Sequence, residues 1–157
     1  TMALKGQPVG PKTADELAEI VSFTTLPFIL KGVMTPDEAI LARDAGVKAD
    51  VVSNHGGRIL DFTPGVADVL PDIADCVGDS MTIFADGGVR TGVDVLKYLA
   101  LGADAVLVGR PLVIGAFGGG REGVACMLEK MKGELAQAMI LTGSASAGSV
   151  GHSVLFG

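Results

Sequence analysis

Short apolar runs alternate with longer amphipathic stretches along most of this chain. Four short runs bounded by turn-forming residues predict buried β-strands: Leu26–Leu30, Ala49–Asn54, Met81–Ala85 and Ala105–Val108. One amphipathic stretch precedes the first run and another follows each of the four, which predicts a helix and then strand and helix in alternation. Such alternation is typical of an α/β protein whose parallel strands are joined by right-handed crossovers.

Capping residues indicate where three of the predicted helices begin. Thr13 followed by Glu16 matches a capping box, and Thr35 and Thr91 occupy similar positions ahead of later helices. Gly46 stands where the second helix should end, because glycine readily adopts the left-handed conformation that closes a helix. These signals are local and support the predicted element boundaries.

Two features interrupt the pattern in the second half of the chain. Pro71 lies in an apolar helical stretch and predicts a kink or break there, because proline cannot donate its backbone hydrogen bond. Gly118–Gly120 predicts a turn ahead of a last long helix from about Glu122 to Leu141. Ser144–Gly157 is rich in Ser and Gly and carries no firm prediction; His152 within it is expected to be an incidental surface residue.

Composition narrows the function classes. The 157 residues fit one domain, and 48% hydrophobic residues with 23 glycines and no Trp indicate packing by small and aliphatic side chains. A net charge of -6 without a Lys/Arg cluster argues against a nucleic-acid surface. No apolar run approaches the roughly 20 residues needed to span a bilayer.

The cysteines and the first residues of the chain bear on its cellular compartment and on metal binding. Cys76 and Cys126 lie in apolar helical stretches without metal-ligand spacing, so we expect free thiols in the core and no metal site. Residues 1–5 lack the apolar run of a signal peptide. Together these features predict a soluble, cytoplasmic protein.

Polar or glycine-rich residues follow all four predicted strands. The four groups are Lys31, Ser53–Arg58, Asp86–Arg90 and Gly109–Arg110. The carboxyl ends of parallel strands share one face of an α/β protein, and ligands bind there. We therefore expect these groups to meet at one site.

The residue types after the second strand suit proton transfer beside an anion. His55 can exchange a proton near neutral pH, and Arg58 carries a permanent charge three residues away. Taken alone, the same residues are compatible with a plain strand-to-helix turn that carries a surface His.

The ends of the last two strands suit a phosphate. Gly87–Gly88 allows close backbone approach near a helix start, and Arg90 and Arg110 can form bidentate contacts with a dianion. Lys31 can act as a fixed cation beside a group that becomes negative during reaction. A plain loop explains each of these groups alone; their occurrence at consecutive strand ends favours phosphate binding.

Four motifs in this order and spacing resemble the FMN-dependent α-hydroxy acid oxidase/dehydrogenase family, which includes glycolate oxidase, lactate oxidase and mandelate dehydrogenase. The motifs are Leu30–Val33, Ser53–Arg58 with Leu60-Asp61, Asp86–Gly92 with Asp94-Val95, and Ala100–Gly109 with Arg110-Pro111. The resemblance extends from about Pro27 to Gly143. It implies FMN as cofactor and the carboxyl-terminal half of a TIM (β/α)8 barrel, its fifth to eighth strands.

The resemblance also implies residue roles. It makes His55 the catalytic base, Arg58 the partner of the substrate carboxylate, and Lys31 the stabiliser of the anionic reduced flavin. Ser53 is expected to help hold the flavin. Contacts to the ribityl and phosphate parts of FMN are expected from Asp86, Gly87, Gly88, Arg90, Gly109 and Arg110.

The chain departs from the family pattern in two ways. A full barrel takes about 250 residues, so residues 1–157 are expected to form the carboxyl-terminal part of one FMN-binding domain. The missing half would come from the same or another chain, and a homo-oligomer is expected. Asp50 stands where the family places an apolar strand residue, so it should lie at the sheet edge or have a partner. Met127, Met131 and Met139 indicate core or interface packing.

Three functional hypotheses follow. The first is oxidation of a small 2-hydroxy acid to the 2-oxo acid by the complete barrel, with the isolated chain inactive. The second is a non-catalytic phosphate- or flavin-binding half-barrel, or an inactive fragment. The third is another FMN barrel enzyme, such as a flavin-dependent isomerase, which shares the phosphate loops but has less reason to pair His55 with Arg58.

Overall fold

A computed structural model of the protein describes residues 10–156. In chain order its elements are α1 (Ala14–Ser22), β1 (Ile29–Val33), α2 (Pro36–Asp44), β2 (Ala49–Val52), α3 (Val66–Val77), β3 (Thr82–Ala85), α4 (Gly92–Ala100), β4 (Ala105–Val106) and α5 (Arg110–Thr142). Short 3-10 turns occur at His55–Gly57, Ala147–Ser149 and His152–Val154. The predicted alternation of helix and strand is confirmed. Residues 1–5, where the sequence predicts no signal peptide, lie outside the described residues.

The four strands form one sheet in the order β1-β2-β3-β4. Each neighbouring pair is parallel, as the alternating pattern predicts. The carboxyl ends of all four strands therefore lie along one edge of the sheet, which we call the rim. This is the half-barrel architecture of four βα units.

Alternate strand residues face opposite sides of the sheet. Leu30, Asp50 and Ile83 stand in register on one side, where α2, α3 and α4 cover the sheet and build the core. We call the other side the open face. Lys31 of β1, Val51 of β2 and Phe84 of β3 stand in register on that side. Ile29, also on the open face, is 49% exposed.

The predicted caps are present. Thr13 accepts from the Glu16 amide and the Glu16 carboxylate accepts from the Thr13 amide, which completes the capping box. The Thr35 and Thr91 hydroxyls accept amide hydrogen bonds at the starts of α2 and α4. Gly46, with φ +92°, follows the end of α2.

The predicted position of the first strand is wrong by three residues. Pairing with β2 begins at Ile29 and continues past Lys31 to Val33, so Lys31 lies inside the strand. Leu26 is 74% exposed and outside the sheet. Hydrogen-bond register, rather than the extent of the apolar run, sets the strand. The fourth strand is also shorter than predicted, ending at Val106.

Two expectations for α3 do not hold in full. The helix is not broken at Pro71, because its neighbours Leu70 and Ile73 are fully buried and their packing outweighs the lost hydrogen bond, and the alternative of a kink stays a prediction. Cys76 is exposed, because it falls beside the buried stripe that includes Val77. Cys126 is likewise exposed on α5, so both thiols are free but neither lies in the core.

The carboxyl-terminal helical region bends at the predicted glycine turn. Gly119 and Gly120 have non-helical backbone angles, which divides α5 into a short first segment and a long second one. The segment from Arg110 to Gly118, ahead of the turn, is therefore helical. Met131 is buried in the core, in keeping with the packing role expected of the methionines. Within residues 10–156, no helix has both the length and the hydropathy to cross a membrane.

Asp50 meets neither expectation for an acid inside this strand. It lies in the middle of β2 on the helix-covered side, is 0% exposed, and neither carboxylate oxygen has a hydrogen-bond partner among the described residues. Burial raises the pKa of Asp50 to about 6. The protonated form is therefore favoured in the core relative to an exposed carboxyl group.

Candidate active site

A cleft of about 420 Å³ opens at the rim. It is lined by residues within β1 and by residues that follow the other three strands, and these include every predicted site residue except Ser53. The members are Lys31, His55, Arg58, Asp86, Gly87, Gly88, Arg90, Gly109 and Arg110. The structure thus brings together groups separated by up to about half the chain.

The cleft is strongly cationic although the chain carries a net charge of -6. One lysine and three arginines line it, against the single carboxylate of Asp86. Within residues 10–156, none of Arg58, Arg90 and Arg110 forms an ion pair. Unpaired guanidinium groups around one cavity are suited to bind anions such as phosphate or carboxylate.

Lys31 connects three strand ends. Its Nζ donates to Ser53 Oγ at 2.6 Å and to Asp86 Oδ2 at 2.7 Å, so the ammonium is held in one place on the open face. Asp86 Oδ1 is buried and has no hydrogen-bond partner among the described residues. That oxygen is an acceptor available to a ligand hydroxyl.

Ser53 is not part of the cleft surface. It is 1% exposed, and its hydroxyl oxygen accepts from Lys31 and from the His55 amide at 3.2 Å. Ser53 is therefore not part of the surface that a ligand in the cleft would touch, and its expected part in holding the flavin stays a prediction. Ser53 instead supports the two residues that do line the cleft.

The loop that carries His55 has an unusual backbone. His55 has φ +55° and Gly56 has φ +68°, and the Gly56 amide donates to Asn54 Oδ1 at 3.0 Å. A left-handed conformation costs energy for a residue with a side chain, and such strain concentrates at functional sites. The turn is therefore held by local hydrogen bonds in a conformation that His55 would otherwise avoid.

Two glycines of the predicted motifs that were not among the predicted site residues shape this region. The register of β1 shifts between Lys31 and Val33, at Gly32, which has φ +105°. A Cβ on Gly32 would lie 3.4 Å from His55 Cε1, and one on Gly56 would lie 3.5 Å from Arg110 Nη2. Glycine inside a strand signals a bulge or a close approach, and both occur here.

Arg58 follows directly on the His55 turn. Its Nε donates to the His55 carbonyl oxygen at 3.0 Å, which ties the guanidinium to that turn. The terminal nitrogens remain available because Arg58 forms no ion pair with the described residues. Arg58 and His55 therefore present a cation and an imidazole to the same cleft.

The two helix starts beside the cleft differ in how their amides are used. At α4 the Thr91–Asp94 capping box and the Glu134 carboxylate, which accepts from the Gly92 amide at 2.9 Å, occupy backbone donors. At α5 the N-cap residue is Gly109 and no side chain caps the helix. Pro111 has no amide hydrogen and the Leu112 amide donates to the Gly109 carbonyl oxygen, so the amides of Gly109 and Arg110 are the donors that remain for an anion at the start of α5.

Hydrogen bonds also keep Asp94 ionised. Burial works to raise the pKa of this carboxyl group, but hydrogen bonds from the Arg90 amide and from the amide and hydroxyl of Thr91 lower it overall. Asp94 Oδ2 accepts from the Arg90 amide at 3.0 Å and from the Thr91 amide at 2.9 Å. The ionised carboxylate orders the backbone that carries Arg90.

The donors and acceptors at the cleft fit an FMN molecule. Asp86 Oδ1 can accept from a ribityl hydroxyl, Arg90, Arg110 and the α5 amides can bind the phosphate, and Lys31 can balance negative charge on the flavin. Within residues 10–156, no group of three or more His, Cys, Asp and Glu side chains is arranged to hold a metal ion.

Comparison with known proteins gives a consistent result. Residues 4–156 match the family model described as FMN-dependent dehydrogenase. A 2-hydroxyacid oxidase of Dictyostelium discoideum is 42% identical over 144 residues, which are 92% of this chain and 37% of that protein.

Solved structures agree with the sequence comparison. A lactate oxidase of Pediococcus acidilactici matches with a TM-score of 0.86 and 43% identity, over 90% of this chain and 40% of that one. A mandelate oxidase crystallised with (S)-2-phenylpropionate matches with a TM-score of 0.85 and 41% identity, over 89% and 42%. This chain spans about two fifths of the length of these relatives.

Proposed function

The chain belongs to the FMN-dependent dehydrogenase family, and from that premise we propose that it is the cofactor-phosphate and catalytic half of an enzyme that oxidises a small 2-hydroxy acid to the 2-oxo acid. The observation that carries this proposal is the cationic cleft, where a fixed lysine, a histidine and three arginines without an ion pair in the described part of the chain meet at the rim. A carboxylate substrate and a phosphorylated cofactor both require such a site.

The proposed chemistry divides between two cleft residues. Arg58 binds the substrate carboxylate, which places the hydroxyl-bearing carbon near the His55 turn. His55 takes a proton from the substrate as a general base. When bound, FMN supplies the acceptor for the two electrons that the substrate loses.

Lys31, Asp86 and the α5 start have supporting roles. Lys31, fixed by Ser53 and Asp86, provides positive charge beside the cofactor. Asp86 accepts from the cofactor's polyol chain through Oδ1, which has no hydrogen-bond partner among residues 10–156. Gly88, Arg90, Gly109 and Arg110 bind the phosphate. These roles stay predictions until they are measured.

Activity is proposed to require a second half-barrel. The chain spans 37% of the 2-hydroxyacid oxidase that it matches, and apolar side chains such as Ile29 and Leu107 are exposed at the open face and edge. In this proposal the missing strands come from the same polypeptide or from another chain. Self-association and a cytoplasmic location remain predictions from the sequence.

The test is flavin binding followed by flavin reduction. Titration of the chain with FMN should quench flavin fluorescence, and the completed barrel should lose its visible flavin absorbance when lactate or mandelate is added without oxygen. His55→Gln in the completed barrel should slow that reduction on the order of 10²–10⁴-fold, the usual worth of a general base. The same variant should retain its FMN affinity. Near-normal reduction by His55→Gln would refute the assigned role.

A second candidate is a non-catalytic half-barrel that binds flavin or phosphate. The cationic cleft is compatible with it, because its guanidinium groups can bind a phosphate whether or not a reaction follows. Binding of FMN without reduction by any hydroxy acid, in the presence of the missing half, would support this alternative. The family match leaves no specific support for the third hypothesis, a flavin-dependent isomerase.

A further inference from the structure

We propose that Tyr98 is a positioning residue for the cofactor site, because its hydroxyl holds the Asp86–Gly88 turn in the conformation that presents the Gly88 amide to the cleft. This inference rests on the proposed function in so far as the ligand of the turn is FMN. The sequence motifs that define the rim do not include Tyr98, which lies on α4.

The anchoring contact is direct. Tyr98 is 8% exposed, belongs to the core on the helix-covered side, and donates from its hydroxyl to the Gly87 carbonyl oxygen at 2.7 Å. A Cβ built on Gly87 would lie 3.5 Å from Val66 Cγ2 and 3.6 Å from the Tyr98 hydroxyl oxygen. The turn is thus packed between α3 and α4, with Tyr98 providing its hydrogen bond from the core.

The planarity of the peptide bond transmits this contact to the cleft. The Gly87 carbonyl and the Gly88 amide belong to one trans peptide unit, so their C=O and N–H bonds point in opposite directions. Fixing the oxygen toward Tyr98 in the core therefore directs the Gly88 N–H away from the core. Gly88 lines the cleft, where an amide donor faces the proposed phosphate.

The turn requires an anchor because its own residues provide little restraint. Gly87 has φ +100° and Gly88 has φ +68°, and consecutive glycines have access to many other backbone conformations. Asp86, directly ahead of them, carries the carboxylate that holds Lys31. A peptide flip at Gly87–Gly88 would redirect the amide and disturb that carboxylate together.

The environment keeps the Tyr98 hydroxyl protonated. Burial raises the pKa of Tyr98, and the nearby carboxylates of Asp86, Asp94 and Asp68 raise it further. The hydroxyl therefore stays a hydrogen-bond donor across the physiological pH range.

Tyr98→Phe tests this role, with Ile73→Val as the matched control. Phe keeps the ring but removes the donor. Ile73 is a fully buried α3 residue that does not line the cleft, and its loss of one methylene should lower stability by a similar amount. We expect Tyr98→Phe to weaken FMN binding by about three- to tenfold, in line with one hydrogen bond, and Ile73→Val to leave FMN affinity unchanged. A purely structural role of Tyr98 predicts equal affinities for the two variants, which would overturn the proposal.

A second measurement on the chain without FMN keeps the two proposals distinguishable. The residual dipolar coupling of the Gly88 amide reports the direction of its N–H bond. It should change in Tyr98→Phe and stay at the wild-type value in Ile73→Val; an unchanged coupling in Tyr98→Phe would overturn the positioning role. If the wild-type chain binds no FMN, the proposed function fails, and this coupling still decides whether Tyr98 orients the turn.

Discussion

Two carboxylates on neighbouring strands have opposite surroundings. Asp50 lies in the middle of β2 on the helix-covered side, in register with Leu30 and Ile83, and has no hydrogen-bond donor among the described residues. Asp86 follows β3 at the rim, where the Lys31 ammonium binds it at 2.7 Å. The difference shows that position along a strand decides whether an acidic residue can bind a ligand or only destabilises the fold.

The physical reason lies in what each region can donate. Inside the sheet, backbone amides are engaged in the strand ladder, and the helices pack apolar side chains against it. Beyond the strand ends, loops leave cations and amides available. An acid at the rim therefore gains partners, whereas one in the strand is only desolvated.

The largest effect is expected in the core, where replacing Asp50 removes one side of this comparison. Asp50→Asn removes the ionisable group, and at pH 7.5 it should raise the free energy of unfolding by about 3 kcal/mol, since the pKa of Asp50 rises from 3.8 to about 6 on folding. Denaturant unfolding at several pH values measures the change. Asp75→Asn, an exposed replacement on α3, is the matched control and should have little effect.

The pH dependence gives the sign of this effect. Folded Asp50 binds its proton more tightly than unfolded Asp50, so the contribution of Asp50 to the free energy of unfolding should fall as the pH rises from about 4 to about 6 and level off above. Asp50→Asn should therefore differ most from wild type above pH 6 and least below pH 4. A difference independent of pH would contradict a desolvated carboxylate.

An intermediate effect is expected at the rim. Lys31→Met leaves Asp86 without its cation, and FMN binding should weaken by about ten- to a hundredfold, which corresponds to one hydrogen bond between charged groups. Fluorescence titration measures it. Lys48→Met makes the same charge change just before β2, at the opposite end of the strands, and should leave FMN affinity unchanged.

A double variant sharpens this prediction. If Lys31 and Asp86 act as a pair, Lys31→Met combined with Asp86→Asn should lose less affinity than the two single losses together. Strict additivity would indicate that the ion pair contributes nothing to the site.

The smallest expected effect separates stability from binding. Thr35→Ala removes the hydroxyl that accepts from the Glu38 amide at the start of α2, and should cost about 1 kcal/mol of folding stability. Thermal or denaturant unfolding measures the loss. FMN affinity should stay at the wild-type value, because α2 starts outside the cleft lining; a weaker affinity would show that the helix layer and the rim are coupled.

Local signals were the most predictive part of the sequence. The capping box of Thr13 and Glu16 spans four residues, so its geometry follows from the sequence itself. The apolar runs located four strands, and the residues after them located the rim. Strand limits were less certain, because Lys31 belongs to β1 through pairing with a strand about twenty residues away.

The sequence alone determined the alternating architecture, the family resemblance and the identity of the groups at the strand ends, since each depends on patterns within short segments. Only the tertiary structure decided that Ser53 lies beneath the cleft, that Asp50 has no hydrogen-bond partner among the described residues, that Glu134 accepts from the first amide of α4, and that Tyr98 reaches Gly87. Each of these outcomes depends on contacts between segments that are distant in sequence. Sheet register and helix packing set such contacts, as in the bonds of Lys31 to Ser53 and Asp86, 22 and 55 residues away.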